Sequence, residues 1–232
     1  MPRTHPPVIH ESVVVDGNLA AENGAEIGPY CSLNGPIWLG KGVKIGPHSV
    51  LIGPLRIGEG TTIGSHCVLG SPPESRSFSS TGEITIGKDC IISDHSIITH
   101  GTTQRGTSLG NRIYLLSRAH ISHDCNLGDG VTMAHNTVLG GHVTVHEGVT
   151  FGIGTTVHQH TTIGAYAMLG MNSVISKDIP PFALVAGNPA RFKRWNTHQF
   201  EKFEMKDEPS GEAYATYLQQ FQRDSKRPVV HH

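Results

Sequence analysis

The sequence predicts an all-β solenoid, a parallel β-helix wound from hexapeptide repeats and closed by a short C-terminal α-helical cap. Three observations carry that expectation: an apolar residue recurs at every sixth position, glycine often follows it, and the recurrence resumes after each of two interruptions. A period of six fits neither the helical 3.6 nor the strand alternation of two. It fits a chain that lays down a short strand and a corner every six residues. Three such units close a triangular rung of about eighteen residues, and rungs stack at roughly 4.8 Å.

From the N-terminus, steps of six run through Ile9, Val15, Ala21, Ile27, Leu33, Leu39, Ile45, Leu51, Ile57, Ile63 and Leu69. The register resumes at Ile86, Ile92 and Ile98, and again from Leu109 through Ile121, Leu139, Val157 and Ile163 to Ile175. Glycine follows the aliphatic at Gly28, Gly46, Gly58 and Gly64, where it suits corner conformations that a Cβ would resist. The aliphatic and the residue four later point inward. Cys31, Cys67, Cys90 and Cys125 all hold that fourth place and never form a C-x-x-C pair, so they read as small buried hydrophobes.

A solenoid can expel extra residues only as loops. The interruptions, Ser71 to Glu83 and Thr102 to Ser108, are therefore loops, expected near the lower half of one groove. Beyond Ile175, Pro180 and Pro181 are expected to stop the ladder. Residues 1–190 then form the β-helix domain and 191–232 a short helical region. Phe200, Phe203, Tyr214, Tyr217, Leu218 and Phe221 form its apolar stripes, and the chain is expected to fray from Arg223 onward.

With 232 residues and a net charge of -1, the chain has no global field to attract nucleic acid or an anionic membrane. No run of eighteen apolar residues occurs, so we expect a cytoplasmic protein with at most peripheral membrane contact. The anomaly is sixteen histidines against seven Phe, five Tyr and two Trp.

Three of these histidines fall at outward positions of successive rungs: His123, His142 and His160. Such a column can coat a face, ligate metal or supply a general base. Asp124 beside His123 favours the base, because a neighbouring carboxylate orients an imidazole and keeps it basic. Gly140-Gly141-His142 sets backbone N–H groups beside the column, where a thioester carbonyl could find an oxyanion donor or where glycine simply turns a corner. Zinc is the alternative represented by one class of carbonic anhydrase with this solenoid. Its paired ligands are four residues apart, whereas His120 and His123 have only two residues between them, so no metal is expected.

The run Ala119-His120-Ile121-Ser122-His123-Asp124-Cys125, then Leu139-Gly140-Gly141-His142-Val143, Val157-His158-Gln159, Asp178-Ile179-Pro180-Pro181 and Gly187-Asn188, resembles the acyl-carrier-protein-dependent UDP-N-acetylglucosamine O-acyltransferases of lipid A synthesis. That resemblance covers about residues 5 to 196 and implies left-handed coils. It also implies a homotrimer with the groove shared between chains, and transfer of a 3-hydroxyacyl group from acyl carrier protein to a nucleotide sugar without a cofactor. It makes His123 the general base, Asp124 its polariser and Gly141 the oxyanion-hole amide. His120, His142, His158, Gln159 and Asn196 become substrate-binding residues, joined by Glu74 and Arg76 in the first loop. Met171 becomes the floor of the acyl groove, which implies a medium-length chain. The ending Gly187-Asn188-Pro189-Ala190-Arg191 instead resembles sugar acetyltransferases that use acetyl-CoA. The second expectation is therefore a CoA-dependent nucleotide-amino-sugar N-acyltransferase. Arg191, Lys193 and Arg194 suit the acidic carrier protein or CoA phosphates equally.

Overall fold

The computed structural model describes residues 5–73, 82–206 and 208–230. The strands form three sheets of eleven, nine and eight strands, built from every third strand of the chain except at the end of the first, which closes on the last two strands in succession. Within them, strands pair in parallel with partners about one rung away, as Ile27 does with Ile45 and His120 with Val138. The result is a parallel β-solenoid of triangular section. Its interior is one ladder of aliphatics, with Leu39, Leu69, Ile98, Ile121, Leu139 and Ile175 fully buried. Among the described residues nothing packs beneath the first rung, and Ile9 and Val15 are 44% and 43% exposed.

The position four after each aliphatic also faces inward. There Ser49 Oγ donates to Gly64 O (2.9 Å) and Thr155 Oγ1 to Gly152 O (2.8 Å), which satisfies buried corner carbonyls. Cys31 and Cys125 occupy the same position, their Sγ atoms 3.2 Å from Gly46 O and Gly140 O. Burial pushes the Cys67 thiol up to about 11 and the Cys125 thiol to about 12, so all four are packing residues.

Two expectations about local structure need correction. The glycines after the aliphatics are required for close approach, since a Cβ on Gly46 would lie 2.7 Å from Gly64 C in the next rung. The left-handed φ falls one or two positions later, mostly on side-chain-bearing residues such as His48, Asp124 and His142. The prolines do not end the ladder either. Pro180 and Pro181 sit at a corner where no strand N–H is needed, and beyond them Ala183–Ala186 pairs in parallel with Met168–Leu169.

The region after residue 190 begins as a strand, Arg191–Trp195, antiparallel to Ala183–Ala186. Two single 3₁₀ turns follow, Thr197–Gln199 and Glu201–Phe203, then the α-helix Gly211–Asp224. Phe200, Phe203, Tyr214 and Tyr217 pack on Tyr166 and Phe182 at the corner between the third and first sheets. Tyr166 and Tyr217 both donate to Glu147 Oε1 at 2.6 Å, fastening the helix to the solenoid. Through Val230 the tail is docked, where fraying was expected from Arg223. Asp178, fully buried, accepts from Ser225 Oγ (2.6 Å), Lys226 N (2.9 Å) and Arg227 N (3.0 Å), and Val230 is buried.

Candidate active site

Every element of the site belongs to one corner, between the second and third sheets. His123 and Asp124 turn the chain from His120–Ile121 to Asn126–Leu127, Gly140 to His142 do so one rung on, and His158 to His160 one rung further. The two loops leave from the same corner on the rungs beneath. A Gly82–Gly101 bridge joins their bases, and buried His100 contacts both Gly82 O (2.9 Å) and Ile52 O (3.0 Å). Glu74 and Arg76 lie outside the described residues.

The second loop holds Asp124. Thr102 donates its N–H and Oγ1–H to Oδ2 (2.9 and 2.6 Å), and Thr103 donates the same pair to Oδ1 (3.0 and 2.6 Å). His123 Nδ1 lies 2.9 Å from Oδ2. Burial alone would raise the Asp124 carboxyl, but the hydrogen bonds from Thr102, Thr103 and His123 outweigh it and hold the group well below the usual carboxylate range. An ionised carboxylate accepts only, so the imidazole proton sits on Nδ1 and the Nε2 lone pair remains available.

The His123 side chain lies outside the coil and is 16% exposed. Its ring meets His142 edge-on at 5.0 Å between centroids, and His142 stacks on His160 at 4.5 Å. Burial lowers the His142 pKa, and the neighbouring His160, His123 and Lys226 lower it further against the pull of Asp124. Gly141 lies under His123 so closely that a Cβ there would be 2.5 Å from Cε1. Among the described residues, the Gly141 N–H has no acceptor.

The donor atoms of His123, Asp124 and His142 fall within 4.8 Å of one another, which is close enough for a metal ion. The donor chemistry does not fit one. Five hydrogen bonds reach the two Asp124 oxygens, which offer about four lone-pair sites, so no oxygen is left for a cation.

Of the other expected residues, His120 is half-buried on the second sheet with a shielded, unpartnered Nε2. His158 and Gln159 join the corner but engage the tail: Arg227 Nη1 lies 2.8 Å from His158 Nδ1 and donates to Gln159 O at 2.6 Å. Two residues are not brought to the site. Asn196 is buried at another corner, where its side-chain N–H donates to Tyr166 O at 2.9 Å, so this chain gives it a framework role. Met171, 68% exposed, lies at the corner between the first and second sheets. Sequence reasoning missed Thr102, Thr103 and the tail residues Asp224 to Arg227. Only the adjacent TT in the loop offered a signal.

Residues 36–71 match the bacterial transferase hexapeptide (six repeats) family model. The chain is similar to an acyl-[acyl-carrier-protein]–UDP-N-acetylglucosamine O-acyltransferase of Syntrophobacter fumaroxidans, 50% identical over 55% of this chain and 51% of that one. It is likewise similar to the enzyme of the same name from Herminiimonas arsenicoxydans, 36% identical over 79% of this chain and 71% of that one. Thus the chain spans about half the length of the first relative and over two thirds of the second. Among solved structures it resembles LpxA from Acinetobacter baumannii, with a TM-score of 0.88 at 26% identity over 97% of this chain and 100% of that one. It also resembles the UDP-N-acetylglucosamine O-acyltransferase of Moraxella catarrhalis, with a TM-score of 0.75 at 29% identity over 96% of this chain and 99% of that one.

Proposed function

The chain belongs to the acyl-[acyl-carrier-protein]–UDP-N-acetylglucosamine O-acyltransferase family, and on that premise we propose that it transfers an acyl group from a carrier-protein thioester to a hydroxyl of a UDP-N-acetylglucosamine-type nucleotide sugar. The observation that carries this reading is the 2.9 Å contact between His123 Nδ1 and an ionised Asp124, which leaves Nε2 to accept a proton. The sugar O–H gives its proton to Nε2 as its oxygen bonds to the thioester carbon. The C–S bond then breaks, and the departing thiolate takes the proton back from His123. In this reading the Gly141 N–H, which has no acceptor among the described residues, donates to the carbonyl oxygen as it becomes negative.

The working unit in this reading is a homotrimer. His123 and Met171 occupy different corners of one prism, so a single groove containing both draws them from two chains. The relatives carry the O-acyltransferase name, which puts ester formation ahead of CoA-dependent amide formation. No described helix is long and apolar enough to cross a membrane.

The test is incubation with UDP-N-acetylglucosamine and a panel of acyl-carrier-protein and CoA thioesters, read by mass spectrometry. We expect an O-acylated nucleotide sugar from carrier-protein thioesters, and loss of about 10²- to 10⁴-fold in turnover for His123→Ala with the fold intact. Full activity in that variant, or product from acetyl-CoA alone, overturns the reading.

A further inference from the structure

The C-terminal tail is built into the histidine corner. Buried Asp178 gathers Ser225, Lys226 and Arg227, and the chain then runs on as a bridge in which Asp178 N donates to Pro228 O (3.0 Å) and Val230 N to Asp178 O (2.9 Å). This docking carries the exposed Lys226 to the rim of a cavity of about 210 Å³ that also holds His142 and His160. Arg105, on the second loop, reaches the same cavity from beneath.

The cavity's two cations face two carboxylates, Asp124 and Asp224. Asp124 is held by Thr102, Thr103 and His123, and Asp224 lies 3.3 Å from the buried His146. Among the described residues, neither Lys226 nor Arg105 pairs with a carboxylate. Two exposed cations, unpaired with any carboxylate among the described residues, and two imidazoles therefore line one polar hollow beside the proposed base, and a phosphoryl group is the ligand chemistry such a set recognises.

We propose that Lys226 of the tail and Arg105 of the loop bind a phosphoryl group of a substrate over His142 and His160. The proposal deepens the acyltransfer reading and rests on it. Both substrates of that reaction carry the required anion, the nucleotide as a diphosphate and the carrier arm as a phosphodiester. The tail is thus part of the substrate site, and Asp178 is the positioning residue that places it.

Steady-state kinetics of Lys226→Met and Arg105→Met, with each substrate varied in turn, tests the assignment. Loss of a charge-assisted contact should lower kcat/KM about tenfold through KM, with Lys226→Arg restoring most of it. A rise confined to the nucleotide-sugar KM assigns the group to the diphosphate, and one confined to the thioester KM assigns it to the carrier arm. Unchanged KM values for both substrates in both variants overturn the proposal. Wild-type protein that forms no acylated sugar overturns the functional reading instead. Calorimetric titration with UDP and with coenzyme A then decides the subsite alone: weaker binding of either probe to Lys226→Met supports it, and equal binding of both overturns it.

Discussion

Gly141 and His123 are in van der Waals contact across one rung, with no room between them for a methyl group: a Cβ on Gly141 would lie 2.5 Å from Cε1 and 2.6 Å from Nε2 of the imidazole. The ring must therefore turn away from Asp124 in Gly141→Ala. Misplacement by about 1 Å is enough to reduce turnover on the order of 10²-fold. Thermal unfolding should barely change, since the site is a half-buried corner. Activity within a factor of two of wild type would mean that the ring position does not matter.

The second prediction concerns the loop. Thr102→Val with Thr103→Val removes both hydroxyl donors from Asp124 and leaves two backbone N–H groups. The carboxyl pKa should rise toward its ordinary value. An NMR titration of the Asp124 carboxyl should show its midpoint moved to higher pH, while kcat/KM near pH 8 changes less. A titration curve that superimposes on wild type rejects the role of the two threonines.

Most of the fold was legible because a solenoid repeats its instructions, and ten successive steps from Ile9 to Leu69 leave no competing period. The pairing of His123 with Asp124 was legible for a related reason, since both lie at known phases of that repeat. Thr102, Thr103, Lys226 and Arg227 obey no period. Their positions follow from the buried acceptors Asp124 and Asp178, and what such a group will collect is a tertiary fact. The corner glycines were misread because crowding between rungs and freedom of φ favour the same residue. Pro180 and Pro181 were misread because a proline at a corner looks in sequence like a proline that ends a ladder.

A third prediction follows from His146, which is buried with its Nε2 3.3 Å from Asp224. Burial lowers its pKa, with Asp224 and Glu147 opposing, and burial lowers that of His142 as well. A histidine with a lower pKa when folded binds fewer protons there than in the unfolded chain. Its contribution is therefore fully present above about pH 6.5, the ordinary histidine value, and is lost as pH falls through the folded pKa. Tm should decline on acidification from pH 7, and His146→Gln should make that slope shallower. An identical slope in the variant removes His146 from the account.

The fourth prediction concerns Met171, which projects from a corner remote from His123 in its own chain. If a neighbouring chain presents it to the groove, Met171→Gly should shift the preferred acyl donor toward chains longer by several carbons. A competition assay with mixed-length thioesters reads this directly. In mixed trimers of His123→Ala and Met171→Gly subunits, working sites take their base from Met171→Gly chains, and those that face Met171 of a His123→Ala neighbour should keep the wild-type chain-length preference. No change in preference in the uniform Met171→Gly trimer would take Met171 out of the groove.

The pairing of Ile27 with Ile45 links residues one full turn apart, and the same register recurs at Leu33 with Leu51. Below the loops each turn touches only the turns above and below it. A gene that duplicated or lost one complete turn there would make a taller or shorter column and leave its reactive corner unaltered. Length variation between relatives in that lower part is therefore a poor guide to differences in catalysis, whereas a single inserted residue beside Asp124 would carry a great deal of meaning.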